Sequence, residues 1–116
     1  MAQSRRMLAQ PIRTLAFGSI GASYAAIGNA MNFMVRILLI QNLTDADLMF
    51  SFTGNTDHIA LPAGGFVLLD LTANQIPDSG FFVSEGTILY VKQIDVPTTG
   101  SVYVSAFYAA PVARGN

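Results

Sequence analysis

The residues that could support catalysis are few. His58 is the only histidine, and the chain has no cysteine. A Ser-His-Asp triad needs a serine held on a sharp turn such as Gly-x-Ser-x-Gly, and no such motif is present. Ser51 and Ser105 fall inside predicted strands as ordinary outward positions. A zinc site would need more histidine or cysteine ligands than the chain offers. The sequence therefore predicts no enzymatic activity, no catalytic residue and no cofactor.

Three acidic residues raise the question of a cation site. Asp45 and Asp47 form an Asp-x-Asp pair, and Asp57 follows a short way along the chain. Carboxylates at this spacing, together with backbone carbonyls, could hold a hard cation such as calcium. The alternative is an Asx-turn between two strands. We favour the turn, because neither the glycine nor the terminal glutamate of a calcium-binding loop is in place, so no metal ligand is predicted.

Several apolar side chains are candidates for a protein interface, since aromatic residues carry much of the energy of such contacts. Phe81 and Phe82 stand beside a glycine and could be exposed anchors, although core packing is an equal alternative. Met31 and Phe33 have the same two interpretations, core or contact surface. We include all four among the predicted interface residues.

Charge is scarce and unevenly placed. Charged residues make up 11% of the chain and hydrophobic residues 52%, whereas a typical soluble domain carries about 25% charged residues. The formal net charge of -1 gives no basic field to attract nucleic acid. No apolar run is long enough to cross a bilayer, and no signal-peptide core follows the N-terminus. A small domain with so little charge to cover its surface is predicted to be shielded by other subunits.

The basic residues near the N-terminus suggest a docking arm. Arg5, Arg6 and Arg13 lie there with Met7 among them, whereas all seven acidic residues lie between Asp45 and Asp95. A basic arm and an acidic body could pair head to tail between identical copies. The alternative is a solvated, frayed terminus, because exposed ion pairs contribute little stability.

The elements that must position these residues are short strands separated by turns rich in Gly, Pro, Asn and Asp. No long window shows a helical period free of Gly or Pro. We predict an all-β fold, an antiparallel β-sandwich of jelly-roll type with about eight strands. Residues 1–10 are predicted as a flexible N-terminal arm, residues 11–110 as the sandwich domain and residues 111–116 as a C-terminal tail. The predicted strands are Pro11–Phe17, Ser23–Ile27, Phe33–Gln41, Leu48–Thr53, His58–Leu61 (an edge strand), Phe66–Leu71, Phe81–Val83, Thr87–Ile94 and Ser101–Tyr108.

Two of these strands are apolar on both faces. In the first, Val35, Ile37 and Leu39 alternate with Leu38 and Ile40, and in the second Phe66 and Leu68 alternate with Val67 and Leu69. Only one face of a strand meets the other sheet in a sandwich. The second face therefore needs another cover, which could be the arm, a loop or a neighbouring subunit.

A series of strand-turn-strand pieces runs through roughly residues 35 to 108: Ile40–Asp45, Phe50–His58, Leu61–Phe66, Leu69–Leu71, Ser84–Lys92 and Gly100–Ala106. In these pieces the central and C-terminal strands resemble small virion structural proteins of tailed bacteriophages. The resemblance implies a β-sandwich that forms rings or multimers on the particle, either as a neck, collar or tail-adaptor protein or as a capsid-decorating protein, and it does not decide between these positions. It implies no catalytic residue.

The expected function is therefore a non-enzymatic virion protein that works by docking to copies of itself and to portal, neck, tail or capsid proteins. Its expected location is the virion, after synthesis in the host cytoplasm, with no sequence reading of nucleic acid and no membrane partner. One alternative is a capsid decoration protein. Another is a glycan-binding module that uses Tyr24, Tyr90, Tyr103 and Phe81, although the chain has no tryptophan.

Overall fold

The computed structural model describes residues 5–70 and 83–111. These residues form nine strands in two antiparallel sheets. The strands are β1 (Arg5–Ala9), β2 (Arg13–Ala16), β3 (Ala25–Ala26), β4 (Ile37–Asn42), β5 (Leu48–Ser51), β6 (Ile59–Leu61), β7 (Phe66–Asp70), β8 (Tyr90–Gln93) and β9 (Ser101–Pro111). The predicted all-β, sandwich-like fold is confirmed. The described part of the chain contains no helix with the length and hydropathy needed to span a membrane.

The larger sheet is organised around the long C-terminal strand β9. One side of β9 pairs with β1 and then with β2, which are separated by the Gln10–Ile12 segment. The other side pairs with β4, and β4 pairs with β7, so the order across the sheet is β1 or β2, β9, β4, β7. Proline at position 11 cannot donate a ladder hydrogen bond, which explains the break between β1 and β2 at this point.

The smaller sheet has the order β3, β8, β5, β6. Its last strand, β6, lies at an edge, as the sequence predicted for residues 58–61. The core lies between the two sheets, because alternate residues of each strand are buried there. It includes Leu38, Ile40, Val102 and Val104 from the larger sheet and Leu48, Phe50 and Val91 from the smaller one.

Residues 5–10 differ from the flexible arm predicted for residues 1–10. Arg5–Ala9 form β1 and pair with residues 107–111 of β9, from Arg5 opposite Pro111 to Ala9 opposite Phe107. Gln10 is buried, and its backbone amide donates to the Ala106 carbonyl over 2.9 Å. The described part of the arm is thus a strand of the larger sheet, because β9 continues past the predicted end at Tyr108 and offers it a partner.

The start of β4 also differs from the prediction. Val35 was expected on the same face as Ile37 and Leu39, but it is fully buried. Regular pairing of β4 begins only at Ile37, and Val35 instead exchanges two backbone hydrogen bonds with Val83, over 2.8 and 2.9 Å. This isolated bridge lies before the regular strand begins, and Val35 packs in the core there.

Candidate functional site: an apolar sheet face

The outward face of the larger sheet is apolar. In β4 the buried residues Leu38 and Ile40 alternate with half-buried Ile37 and Leu39. The strand register places Leu39 opposite Leu68 on one side and opposite Ser105 on the other. Six apolar residues from four strands share this outward surface, which we call the apolar face: Met7, Ile37, Leu39, Phe66, Leu68 and Phe107.

The side chains of β7 are the most exposed part of the apolar face. Phe66 is 66% exposed and Leu68 is 53% exposed, whereas Val67 and Leu69 pack against the core. A strand with bulky apolar residues on both sides normally has both sides covered. The predicted second apolar surface is therefore present and open to solvent on β7.

A few polar residues lie within the apolar face, but they place no charge at its centre. Gln41 lies between Phe66 and Tyr103 in the register, and Ser105 lies between Tyr103 and Phe107 along β9. Asp70, opposite Ile37, is the one Asp, Glu, Lys, Arg or His among the outward residues of β4, β7 and the described part of β9. The face can thus lose its water without burying several charges.

Two of the predicted interface residues are exposed. Met7 belongs to the apolar face, opposite Ala109 in the register. Phe33 is 47% exposed and stacks on Tyr108, with ring centroids 4.1 Å apart and an interplanar angle of 12°. Tyr108 has the register parity of the inward side chains of β9, so Phe33 lies on the opposite side of the larger sheet from the apolar face.

Two other predicted interface residues are buried. Arg13 is 7% exposed, and its guanidinium donates to the carbonyls of Asn29 (2.7 Å), Ala30 (2.9 Å) and Pro11 (3.2 Å) and to Gln10 Oε1 (3.1 Å). Burial lowers the pKa of this group. Arg13 therefore ties β2 to the loop before β4 rather than serving a docking arm. Met31 is 2% exposed and belongs to the core, so its core interpretation holds.

For the remaining predicted interface residues, the structure describes at most the backbone. Arg5 and Arg6 lie in β1 by their backbone, and their side chains lie outside the described part. Phe81 and Phe82 lie outside the described residues altogether. The structure therefore adds nothing on these four side chains.

The carboxylates of Asp45 and Asp47 hold neighbouring loops in place by accepting hydrogen bonds. Asp45 Oδ1 accepts hydrogen bonds from the amides of Thr98 (2.8 Å) and Thr99 (3.2 Å), and Asp45 Oδ2 accepts one from the Thr98 hydroxyl. These bonds lower the pKa of Asp45. Asp47 Oδ1 accepts from the Ala63 amide over 3.1 Å. Among the described residues, no group of three His, Cys, Asp or Glu side chains could hold a metal ion.

The neighbourhood of His58 does not form a catalytic triad. His58 Nδ1 accepts the Phe52 amide over 3.0 Å, and the Ser51 hydroxyl lies 3.5 Å from the same nitrogen. Ser51 is fully buried rather than outward, and its Oγ accepts the amides of Thr53 (3.1 Å) and Gly54 (2.9 Å). A serine held this way shapes the β5–β6 turn and offers no exposed nucleophile.

The outward face of the smaller sheet carries a polar cluster of Tyr24, Asp57 and Lys92. Tyr24 and Asp57 were separate candidates for glycan and cation binding, but their association with Lys92 was not predicted. The Tyr24 hydroxyl donates to Asp57 Oδ1 over 2.5 Å, and Lys92 Nζ lies 3.1 Å from the same oxygen. Lys92 also lies over the Tyr24 ring, 4.8 Å from its centroid. Burial, followed by the hydrogen bond to Asp57, raises the pKa of Tyr24 to about 12. The hydrogen bonds from Tyr24 and Lys92 lower the pKa of Asp57.

Phe66 and Leu68 were predicted to lie in a strand that is apolar on both faces, but they were not among the predicted interface residues. The available signal was the pattern Phe66-Val67-Leu68-Leu69, in which both alternating sets are bulky and apolar. The pairing between Tyr24 and Asp57 had no sequence signal, because the two residues are far apart in the chain. Comparisons with protein-family models, with curated proteins and with solved structures found no match.

Proposed function

We propose that this chain is a non-enzymatic structural protein of a tailed-phage particle, present in several copies as a neck, collar or head-tail adaptor component. The observation that carries the proposal is the apolar face, with Phe66 and Leu68 more than half exposed. A face of this kind stabilises an assembly when neighbouring subunits cover it. The resemblance of residues 35–108 to small virion proteins points to the particle as the place of assembly.

Docking through the apolar face would be driven by the burial of apolar surface. Covering apolar surface contributes about 25 cal/mol per Å² before the costs of association are subtracted. Leu39, Leu68 and Phe66 lie on adjacent strands, so one partner surface could cover them together. Such a contact depends on apolar side chains and needs few charged ones, which agrees with the low number of charged residues.

The loops of the protein support a role as a rigid building block. Asn42 is fully buried, and its Nδ2 donates to the carbonyls of Ala46, Leu61 and Pro62 over 2.8 to 3.1 Å. Asp45 holds the turn before β9 in the same region. Loops tied by internal hydrogen bonds lose little conformational entropy when a partner binds.

The test is to locate the chain in purified particles. Cryo-imaging of intact virions, combined with quantitative mass spectrometry, should find several copies around the head-tail junction. Finding it spread over the capsid lattice instead would favour the decoration alternative, which uses the same kind of docking. Its absence from purified, infectious particles would refute the proposal.

A glycan-binding role is a second candidate, favoured by the polar cluster of Tyr24, Asp57 and Lys92. Asp57 keeps 52% of its side chain exposed, so its free oxygen could accept a sugar hydroxyl. Lys92 lies over the Tyr24 ring, which reduces the aromatic surface left for a sugar. A glycan array probed with the wild-type chain and with Asp57→Ala tests this role. Hits that disappear in the variant would support it, and an array without hits would discard it.

A further inference from the structure

The apolar face has the dimensions of a subunit interface. The larger sheet is four strands wide at its middle, and its strands run from four residues in β2 to eleven in β9. With strands about 4.8 Å apart and about 3.3 Å per residue, its outward face covers roughly 500 Å² in projection, and side-chain relief adds to this area. A standard protein interface buries about 800 Å² on each partner. Two such faces packed together would bury about 1,000 Å² in total, which is the lower end of the range for a specific protein interface.

The charge on the apolar face restricts the kind of partner. Nucleic acid and anionic lipid surfaces are bound through clusters of Lys and Arg. Arg5, which shares the register parity of Met7 at the end of β1, is the one basic residue at an outward position of β1, β4, β7 or the described part of β9, so these positions hold no basic cluster. Asp70 lies at one corner, next to Ile37. A charged protein surface would gain no complementary contacts at the centre. A second copy of this chain presents the same uncharged centre, so packing the two centres together buries no charge and the desolvation cost is small.

The arrangement of large and small side chains also suits self-packing. Ser105 lies between Tyr103 and Phe107 along β9 and beside Leu39 on β4. Because serine is smaller than these neighbours, we expect a shallow depression in the outward surface at Ser105. Phe66 and Leu68 project from the neighbouring edge of the same face. In a face-to-face pair, the β7 side chains of one copy can enter the depression of the other.

We propose that two copies of this chain pack the outward faces of their larger sheets against each other around a two-fold axis. This pair is the repeating unit of the assembly, so the inference rests on the proposed function and names the partner that covers the apolar face. The interface is isologous, with each copy contributing the same residues. The outward faces of the smaller sheets then point away from the pair.

The first test compares Leu68→Lys with Val96→Lys by analytical ultracentrifugation over a wide range of protein concentration. Leu68 lies on the apolar face, whereas Val96 is 69% exposed in the turn before β9. Wild type and Val96→Lys should sediment with twice the chain mass. Leu68→Lys should weaken the association by ~100-fold or more, because the new charge would be buried without a partner. Circular dichroism checks that both variants stay folded.

The second test uses the absence of cysteine from the chain. Ser105→Cys places a single thiol near the middle of the apolar face, and Ala60→Cys places one on the exposed outward side of the smaller sheet. A short bifunctional maleimide should link two copies of Ser105→Cys and leave Ala60→Cys uncoupled. Equal linking of both variants would overturn the face-to-face arrangement.

The outcomes separate this inference from the proposed function. A wild-type chain that is monomeric in solution, or a dimer unaffected by Leu68→Lys, overturns the paired arrangement, even if imaging finds the protein at the head-tail junction. A dimer that Leu68→Lys dissociates supports the arrangement, and a chain absent from particles then refutes only the virion role.

Discussion

At the scale of single residues, the buried polar groups act as ties within the fold. Arg13, Asn42 and Ser51 are buried, and each holds a loop or turn through several hydrogen bonds. Buried polar groups with full sets of partners are rigid, and losing one partner is costly. Among the buried side chains of residues 5–70 and 83–111, only Gln10 Nε2 and Arg36 Nη1 lack a hydrogen-bond partner.

A substitution of Asn42 tests how much the hydrogen bonds of this buried side chain contribute to stability. Asn42→Ala removes the two N–H donors that the carbonyls of Ala46, Leu61 and Pro62 share. We expect a loss of about 2–3 kcal/mol in the free energy of unfolding, measured by urea denaturation. The neighbouring variant Gln41→Ala, at a half-buried outward position, should cost about 0.5 kcal/mol or less. Equal costs for the two variants would contradict the role assigned to Asn42.

The hydrogen bonds that Asp45 accepts should make the free energy of unfolding depend on pH in the acidic range. Hydrogen bonds from Thr98 lower the pKa of Asp45 in the folded state, so the folded protein favours the ionised carboxylate. Its stabilising contribution is present above the unfolded pKa of about 4 and is lost as pH falls through the lower folded pKa.

Asp45→Asn tests this dependence, because an amide cannot take up the proton. Urea midpoints measured from neutral pH down into the acidic range should fall less steeply for the variant than for the wild type. Asp57 also has a lowered pKa and is still present in Asp45→Asn, so some acid dependence should remain. Identical pH profiles for the two proteins would contradict the assignment.

At the scale of elements, the turns fix which strands can meet. The turn before β9 ends at Gly100, which has a φ of +90° and lies against the backbone of Leu43 and Thr44. The Leu43 amide also donates to the Ser101 carbonyl over 3.0 Å. The connection between β4 and β5 and the start of β9 are thus packed backbone to backbone, which sets the register of the longest strand.

Gly100→Ala should therefore be far more disruptive than an ordinary glycine replacement. A Cβ at this position would lie 2.8 Å from Thr44 Cα and closer still to the Leu43 carbonyl oxygen. Gly86 is the matched control, since its φ is +89° and a Cβ there meets nothing within 4 Å. We expect Gly86→Ala to cost about 1–2 kcal/mol from the left-handed backbone alone. Gly100→Ala should lower the melting temperature further, and similar melting temperatures would argue against the close approach.

The strands were predictable from sequence where apolar alternation and turn residues agree. Leu48–Ser51 and Ile59–Leu61 lie inside the predicted segments, because Phe50 and Leu48 alternate with outward residues between Asn- and Asp-rich turns. Strand β1 was not predictable, since Arg5 and Arg6 resemble a solvated terminus and the partner that orders them lies at the far end of the chain. Pairing over such a separation leaves no local signal. The burial of Arg13 was missed for the same reason, because its acceptors are carbonyls of another segment.

At the scale of the whole molecule, the two sheets present different outward surfaces. The larger sheet exposes the apolar face, and the smaller one exposes the cluster of Tyr24, Asp57 and Lys92. The low charge content predicted an uncovered apolar surface but could not say which sheet carries it. That assignment needed the register of β4 with β7 and β9, which alternation alone does not give.

The driving force for association should be visible in its salt dependence. If the apolar face forms the contact, sodium chloride should change the association constant by about twofold or less, because few charges take part. Sulfate should strengthen association, since it favours burial of apolar surface. Both effects can be measured by sedimentation equilibrium. A steep weakening with sodium chloride would instead support the head-to-tail pairing of basic and acidic segments.

The pairing of β1 with β9 has a mechanical consequence. Arg5 lies opposite Pro111, so the two strands reach the same end of the larger sheet. Tension applied between these two ends would separate the strands like a zipper, breaking one residue pair after another instead of shearing the whole ladder at once. The protein should therefore unfold at low force when it is pulled from Arg5 and Pro111. A load-bearing assembly would have to contact it across the broad side of the sheet.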